Sequence, residues 1–221
     1  MLHHALCNLE GSETTVLEPP TSSFQAMSTF FDMPNSKVLI GSIYEQRFSE
    51  RFDTVLANTF ALPRGKQNNS SLLGKEISQK EHFVPSLTYR PEYMGCLWAA
   101  ELLKPNGRAL LLVPASFFWH PRSKNLIAYL KASGVFIESA LHIPQRTLLG
   151  TSINSYLVVL AKEVLSSTWI AKWKEDSEYQ KLLLSNLISR RNTDELELGG
   201  LVDIESFDGF ESLDAARRLQ R

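Results

Sequence analysis

The chain has 221 residues, 43% of them hydrophobic and 21% charged, with a net charge of −1. That length supports one domain, or one domain with an appendage, and enough apolar residues for a sizeable core. Near-neutral charge excludes a global field that draws in nucleic acid, so any such contact must rest on a local basic patch.

Two cysteines, Cys7 and Cys96, form neither a disulfide framework nor a metal spacing. A reducing compartment and a cytoplasmic location follow as the expectation. The first residues lack a long apolar run, and the longest apolar stretches are strand-sized, well short of a membrane span.

In chain order, residues 1–11 read as the tail of a helix ending at Gly11. Residues 14–18 are a strand stopped by Pro19-Pro20, and Ser22 or Ser23 can cap a helix running to about Asp32. A second strand covers 37–43 and a third covers 52–58. The third, Phe-Asp-Thr-Val-Leu-Ala-Asn, delivers Asn58 to its C-terminal end. In open α/β sheets that edge is where ligands bind.

Residues 62–90 form a long polar segment carrying Arg64, Lys66, Lys75, Lys80 and Arg90, read as an irregular loop. Lys and Arg in such a loop suit DNA phosphates, although a solvated charge cluster is the more common explanation. A helix follows over 92–103, with Tyr93, Leu97, Ala100 and Leu103 at helical spacing. The turn Lys104-Pro105-Asn106-Gly107 leads into a strand at 108–113. Next come a helix at 124–132 ended by Gly134, a strand at 135–143, and a strand at 153–161. The short link between the last two predicts an antiparallel pair, because a parallel crossover needs a dozen or more residues. Residues 169–191 read as a helical extension and 192–221 as an acidic stretch ending in a helix at 213–221. The expected division is an α/β domain over 1–163 and a helical, acidic extension over 164–221.

Helices between strands indicate a doubly wound, mainly parallel sheet with helices on both faces and an antiparallel last strand. Asp53 reads as structural. His82, His120 and His142 have no partner at metal-ligand spacing. Phe117-Phe118-Trp119 reads as core or as a subunit contact.

Three stretches, "FDTVLAN", "LWAAELLKPNGRALLLVPASFF" and "GVFIESALHIPQRTLLGTSINSYLVVLAK", follow one another in an order that resembles the N6-adenine DNA methyltransferases. The resemblance is to the modification subunits of type I restriction systems in particular, and it covers roughly residues 14–162. It implies a sheet that binds S-adenosylmethionine, methyl transfer to adenine N6 in DNA without a metal, and a specificity subunit or other methyltransferase subunits as partners. In the family, Asn-Pro-Pro-aromatic accepts hydrogen bonds from a flipped adenine's amine and stacks on the base. Here Asn58 matches, while Thr59, Phe60 and Ala61 follow it, and Phe60 is an aromatic one position early.

The family's acid-Pro-x-x-Gly-x-Gly cofactor loop corresponds to Glu18-Pro19-Pro20-Thr21-Ser22-Ser23-Phe24, with serine at the first glycine position. The family's Gly-Asp corresponds to Gly41-Ser42. The resemblance therefore implies Asn58 and Phe60 as catalytic residues and Glu18, Pro19, Gly41 and Ser42 as cofactor residues. One βα unit is missing between Glu18 and Gly41. These departures leave a second reading open, a non-catalytic relative with a DNA-binding or assembly role. A third is transfer to an amine or amide of protein or RNA.

Overall fold

A computed structural model of the chain describes residues 14–18, 36–40, 51–59, 77, 79–81, 83–85, 87, 90–147, 152–193 and 197–209. They fall in two units, 1–47 and 48–221. The helices expected at 1–11, 22–32 and 213–221, together with Cys7, His82 and the turn at Gly150-Thr151, lie outside the described residues.

In the first unit β1 (Thr14–Glu18) and β2 (Ser36–Ile40) pair in parallel, with Glu18 opposite Ile40. A parallel pair needs a crossover between its strands, and the length of chain between them permits one.

The second unit is built on six strands. They are β3 (Phe52–Asn58), β4 (Leu103–Pro114), β5 (Phe136–Ile143), β6 (Ser155–Ala161), β7 (Ser167–Lys172) and β8 (Gly200–Asp203). Their order across the sheet is β3-β4-β6-β5-β7-β8. β3, β4, β5 and β7 run one way; β6 is antiparallel to both its neighbours, and β8 is antiparallel to β7. Four strands therefore share one direction, as expected of a mainly parallel sheet, and two, β6 and β8, are reversed. The first of these, β6, is inserted between β4 and β5, as its short link to β5 requires.

Helices α1 (Pro91–Leu102), α2 (Ser116–Trp119), α3 (Ser123–Ala132) and α4 (Ser177–Ser189) accompany the sheet. α1 opens on Pro91, whose missing N–H costs nothing in a first turn. It is buried nearly all round, so it is a core helix rather than an amphipathic one. α3 buries Leu126, Ile127 and Leu130, and the chain leaves it at Gly134 with φ +71°. Both features match the sequence expectation.

The turn at 104–107 forms as an excursion within β4. Asn106 adopts φ +63° and its N–H donates to Lys162 O at 3.0 Å. A Cβ on Gly107 would lie 2.9 Å from Lys104 O and 3.1 Å from the carbonyls of Phe52 and Asp53, so glycine is required by backbone approach. The main core runs between α1, α2, α3 and one sheet face, through Leu97, Leu111, Val113, Leu126, Val158 and Leu160. α4 covers the other face at its β5–β7 end, where Leu141, Trp169, Ala171 and Leu183 pack together.

Two expectations are corrected. Residues 169–172 are not helical: Ser-Thr-Trp-Ile-Ala-Lys forms β7, its Thr168–Ala171 core buried, and it extends the same sheet past residue 163. β-branched and aromatic residues suit a strand with both faces covered. The helix begins only at Ser177, where the Asp176 carboxylate caps it by accepting from Tyr179 N–H at 2.7 Å. The 62–90 segment is also not uniformly a solvated loop, since Ile77 and Leu87 are fully buried in the core.

Candidate active site

β3 ends on Asn58, whose backbone pairs with Leu112 of β4. β3 and β4 are parallel, so Asn58 reaches the C-terminal edge and β4 continues two residues further, to Pro114. Thr59 comes next and is 3% exposed. Its hydroxyl donates to the carbonyl of Leu112 at 2.9 Å. The residue after Asn58 is thereby fastened to the neighbouring strand.

Asn154 joins the other strand ends along this edge. Its carbonyl accepts from Ala115 N–H at 2.8 Å, just past β4, and its side-chain oxygen accepts from Gln145 N–H at 2.9 Å, just past β5. Ser155 beside it pairs with Pro114 on one side and Ile143 on the other.

Beneath the edge lies a run of edge-to-face rings. Tyr93 meets Phe117 at 5.5 Å, Phe117 meets Phe118 at 4.9 Å, and Phe118 meets Tyr156 at 5.0 Å. Such pairs hold one another in a narrow range of orientations. Phe117 and Phe118 are therefore core residues, while Trp119 beside them is 48% exposed. The Tyr93 hydroxyl donates to Phe117 O at 3.1 Å, and burial pushes its phenol up to about 12, so it stays a donor at neutral pH.

Arg90 closes the near side. Its Nε donates to Glu92 Oε1 at 2.6 Å, one terminal nitrogen donates to Ser116 Oγ at 3.0 Å, and the guanidinium lies 5.4 Å from the Tyr93 ring centre. His120 accepts from Arg122 N–H through Nδ1 at 3.1 Å. Burial, then the charges of Arg90 and Arg122, hold it below the usual histidine range.

The sequence candidates fall in both units. Asn58 closes β3 in the second. Glu18 closes β1 in the first, opposite Ile40, so Gly41-Ser42 follow directly after its partner. Pro19, Gly41, Ser42 and Phe60 lie outside the described residues. Asp53 is structural as expected, held by Lys104 Nζ at 2.8 Å and lowered by that bond. Of the basic residues in 62–90, Lys80 is paired with Glu101 and Arg90 with Glu92. Sequence reasoning missed Thr59 and Asn154, whose roles depend on partners distant in the chain. No helix among the described residues is long and apolar enough to cross a membrane.

The strand order and the reversed β6 between β4 and β5 narrow the fold. Superposition on solved structures decides it. A type I restriction-modification methyltransferase subunit from Streptococcus thermophilus matches with a TM-score of 0.65 and 17% identity, over 86% of this chain and 44% of that one. The fold is that of the S-adenosylmethionine-dependent methyltransferases.

A modification subunit of a type I restriction enzyme from Vibrio vulnificus matches with a TM-score of 0.59 and 14% identity, over 90% of this chain and 49% of that one. A class I S-adenosylmethionine-dependent methyltransferase from Listeria monocytogenes matches with a TM-score of 0.58 and 13% identity, over 84% and 68%. The chain thus spans less than half the length of the two type I subunits. No family model matches the sequence, and no curated protein sequence matches it.

Proposed function

We propose that the chain is an S-adenosylmethionine-dependent DNA methyltransferase acting on adenine N6 within a restriction-modification system. The observation that carries this reading is the Thr59–Leu112 hydrogen bond. It gives the residue after Asn58 a fixed seat at the sheet edge without the proline of the family pattern. A fixed seat is what this chemistry asks of the protein. Methyl transfer is an in-line displacement, and positioning the attacking amine supplies most of the rate.

In this reading Asn58 accepts a hydrogen bond from the exocyclic amine of an extruded adenine. The Thr59 tether holds the adjoining backbone, and Phe60 provides a ring for the base. Glu18 and Pro19, with Gly41 and Ser42, form the cofactor edge of the first unit. The register of β1 on β2 supports that grouping, because Glu18, the last residue of β1, pairs with Ile40, the residue that precedes Gly41 in the chain. S-adenosylmethionine supplies an electrophilic methyl group on a sulfonium, and an acid at a strand end suits its polar groups. The partners are DNA and further subunits of the system. The match covers only 44% and 49% of the two similar type I subunits, which leaves room for such contributions.

A second reading is favoured by serine at the first glycine position of the cofactor loop and by the Thr-Phe-Ala that follows Asn58. It is a non-catalytic relative that binds DNA or assembles with active subunits. Transfer of a labelled methyl group from the cofactor to DNA separates the two. The first predicts incorporation that Asn58→Ala lowers by a hundredfold or more, on the order of a lost transition-state hydrogen-bond acceptor. No incorporation by the wild-type chain favours the second reading. Undiminished incorporation by Asn58→Ala removes Asn58 from the catalytic role.

A further inference from the structure

The arginines around the six-stranded sheet differ in their surroundings. At the N-terminal edge Arg108 and Arg190 are neutralised, and at the C-terminal edge Glu92 holds Arg90. Arg108 binds Glu138 at 2.9 Å and also Glu163, and Arg190 approaches Glu138 at 3.6 Å. At the C-terminal edge Arg122 and Arg146 are exposed, and among the described residues neither has a carboxylate partner.

Asn154 brings the two C-terminal loops together. It accepts from Ala115 N–H and from Gln145 N–H, so the segment leading to Trp119 and Arg122 and the turn holding Arg146 spring from either side of one residue. Pro114 and Ile143 flank Ser155, one strand away on each side, which sets them about 10 Å apart at ordinary strand spacing. Asn58 ends β3, the strand next to β4 on the side away from β6.

The Arg146 backbone adds a second observation. Its φ is +66°, in a turn closed by Thr147 N–H on Pro144 O at 3.4 Å. Glycine or asparagine is the favoured residue at a left-handed turn position, and arginine there is strained. The turn keeps a charge at the cost of conformational fit.

We propose that Trp119, Arg122 and Arg146 form the surface on which the DNA backbone lies while a base is presented to Asn58. The proposal rests on the DNA reading above and moves the phosphate contacts away from Lys80 and Arg90, which Glu101 and Glu92 already hold. Duplex DNA carries one charge per about 1.7 Å of axis, so two exposed guanidinium groups on neighbouring loops both find phosphates. The half-exposed indole of Trp119 offers a flat apolar face to a sugar or an unstacked base.

The test is fluorescence anisotropy with a labelled DNA duplex across a salt series. Relative to wild type, Arg122→Gln/Arg146→Gly weakens binding at least about tenfold and lowers the slope of log affinity against log salt by about two. Arg146→Gly suits its turn better than arginine does, so its melting temperature does not fall and lost binding is not lost folding. Trp119→Ala weakens binding about tenfold with the slope unchanged. Lys181→Gln, on the exposed side of α4, changes neither. A double variant with wild-type affinity and slope overturns the proposal and leaves the DNA reading standing. A wild-type chain that binds no duplex overturns both.

Discussion

The Thr59 hydroxyl donates to Leu112 O across 2.9 Å and ties the residue after Asn58 to β4. The two residues are 53 positions apart in the chain, and the bond is buried on the Thr59 side. Replacing Thr59 with valine keeps the shape and removes the donor. The expected loss of stability is about 1 kcal/mol, the net worth of one such bond. In the proposed reading the expected loss of methyl transfer is larger, because the backbone that follows Asn58 is no longer held. Equal small losses in both would limit the tether to a structural role.

The 62–90 segment is anchored in the core by Ile77 and Leu87, both fully buried, with Phe83 and Val84 packed against the same cluster. Leu87→Ala is expected to destabilise the chain by about 2–4 kcal/mol in urea unfolding, the range for emptying a buried leucine site. A change below about 0.5 kcal/mol, typical of a surface position, would mean that the segment is not part of the core.

Gly199 sits against Trp169. A Cβ there would lie 2.3 Å from a ring atom, and the backbone φ is +121°. Trp169 is fully buried and its indole N–H donates to Arg191 O at 3.2 Å, so the ring cannot move aside without breaking that bond. Gly199→Ala combines overpacking with backbone strain, and a loss of roughly 3 kcal/mol or more is expected. A wild-type urea midpoint would contradict this packing.

Glu197 links the chain before β8 to β7 and α4. Its carboxylate is held by Lys174, with Lys172 at 3.5 Å, and its carbonyl accepts from the Tyr179 hydroxyl. The Lys174 hydrogen bond is the main cause that holds it below the ordinary glutamate value of 4.5. A depressed carboxylate contributes stability above its unfolded value and loses it as pH falls through the folded one. Thermal melts should therefore place Glu197→Gln below wild type at neutral pH, with the gap closing as the pH drops below 4.5. A gap that persists in strong acid would assign the effect to packing.

The sequence made some of this legible and hid the rest for physical reasons. β3, α1 and β4 were readable because an apolar run, a helical spacing and the Lys-Pro-Asn-Gly turn are local signals. The reversed β6 was readable because a short link admits no crossover. β7 was taken for helix because Trp169-Ile170-Ala171 is a continuous apolar run, and such a run has no period to separate strand from helix. Ile77 and Leu87 are isolated apolar residues in a polar stretch, and burial of that kind leaves no pattern. Asn58 was legible as the end of a strand. The Thr59 tether and the exposure of Arg122 and Arg146 were not, since each depends on which distant groups pack nearby.

The proposed methyl transfer takes its methyl group from S-adenosylmethionine, so the most direct measurement is titration calorimetry of the intact chain with that cofactor. The expected result is saturable binding of one molecule per chain at micromolar or tighter affinity, about −8 kcal/mol, weakened by Glu18→Ala. A flat titration at concentrations that saturate an active methyltransferase would contradict the cofactor site, and with it the assignment of catalysis to Asn58.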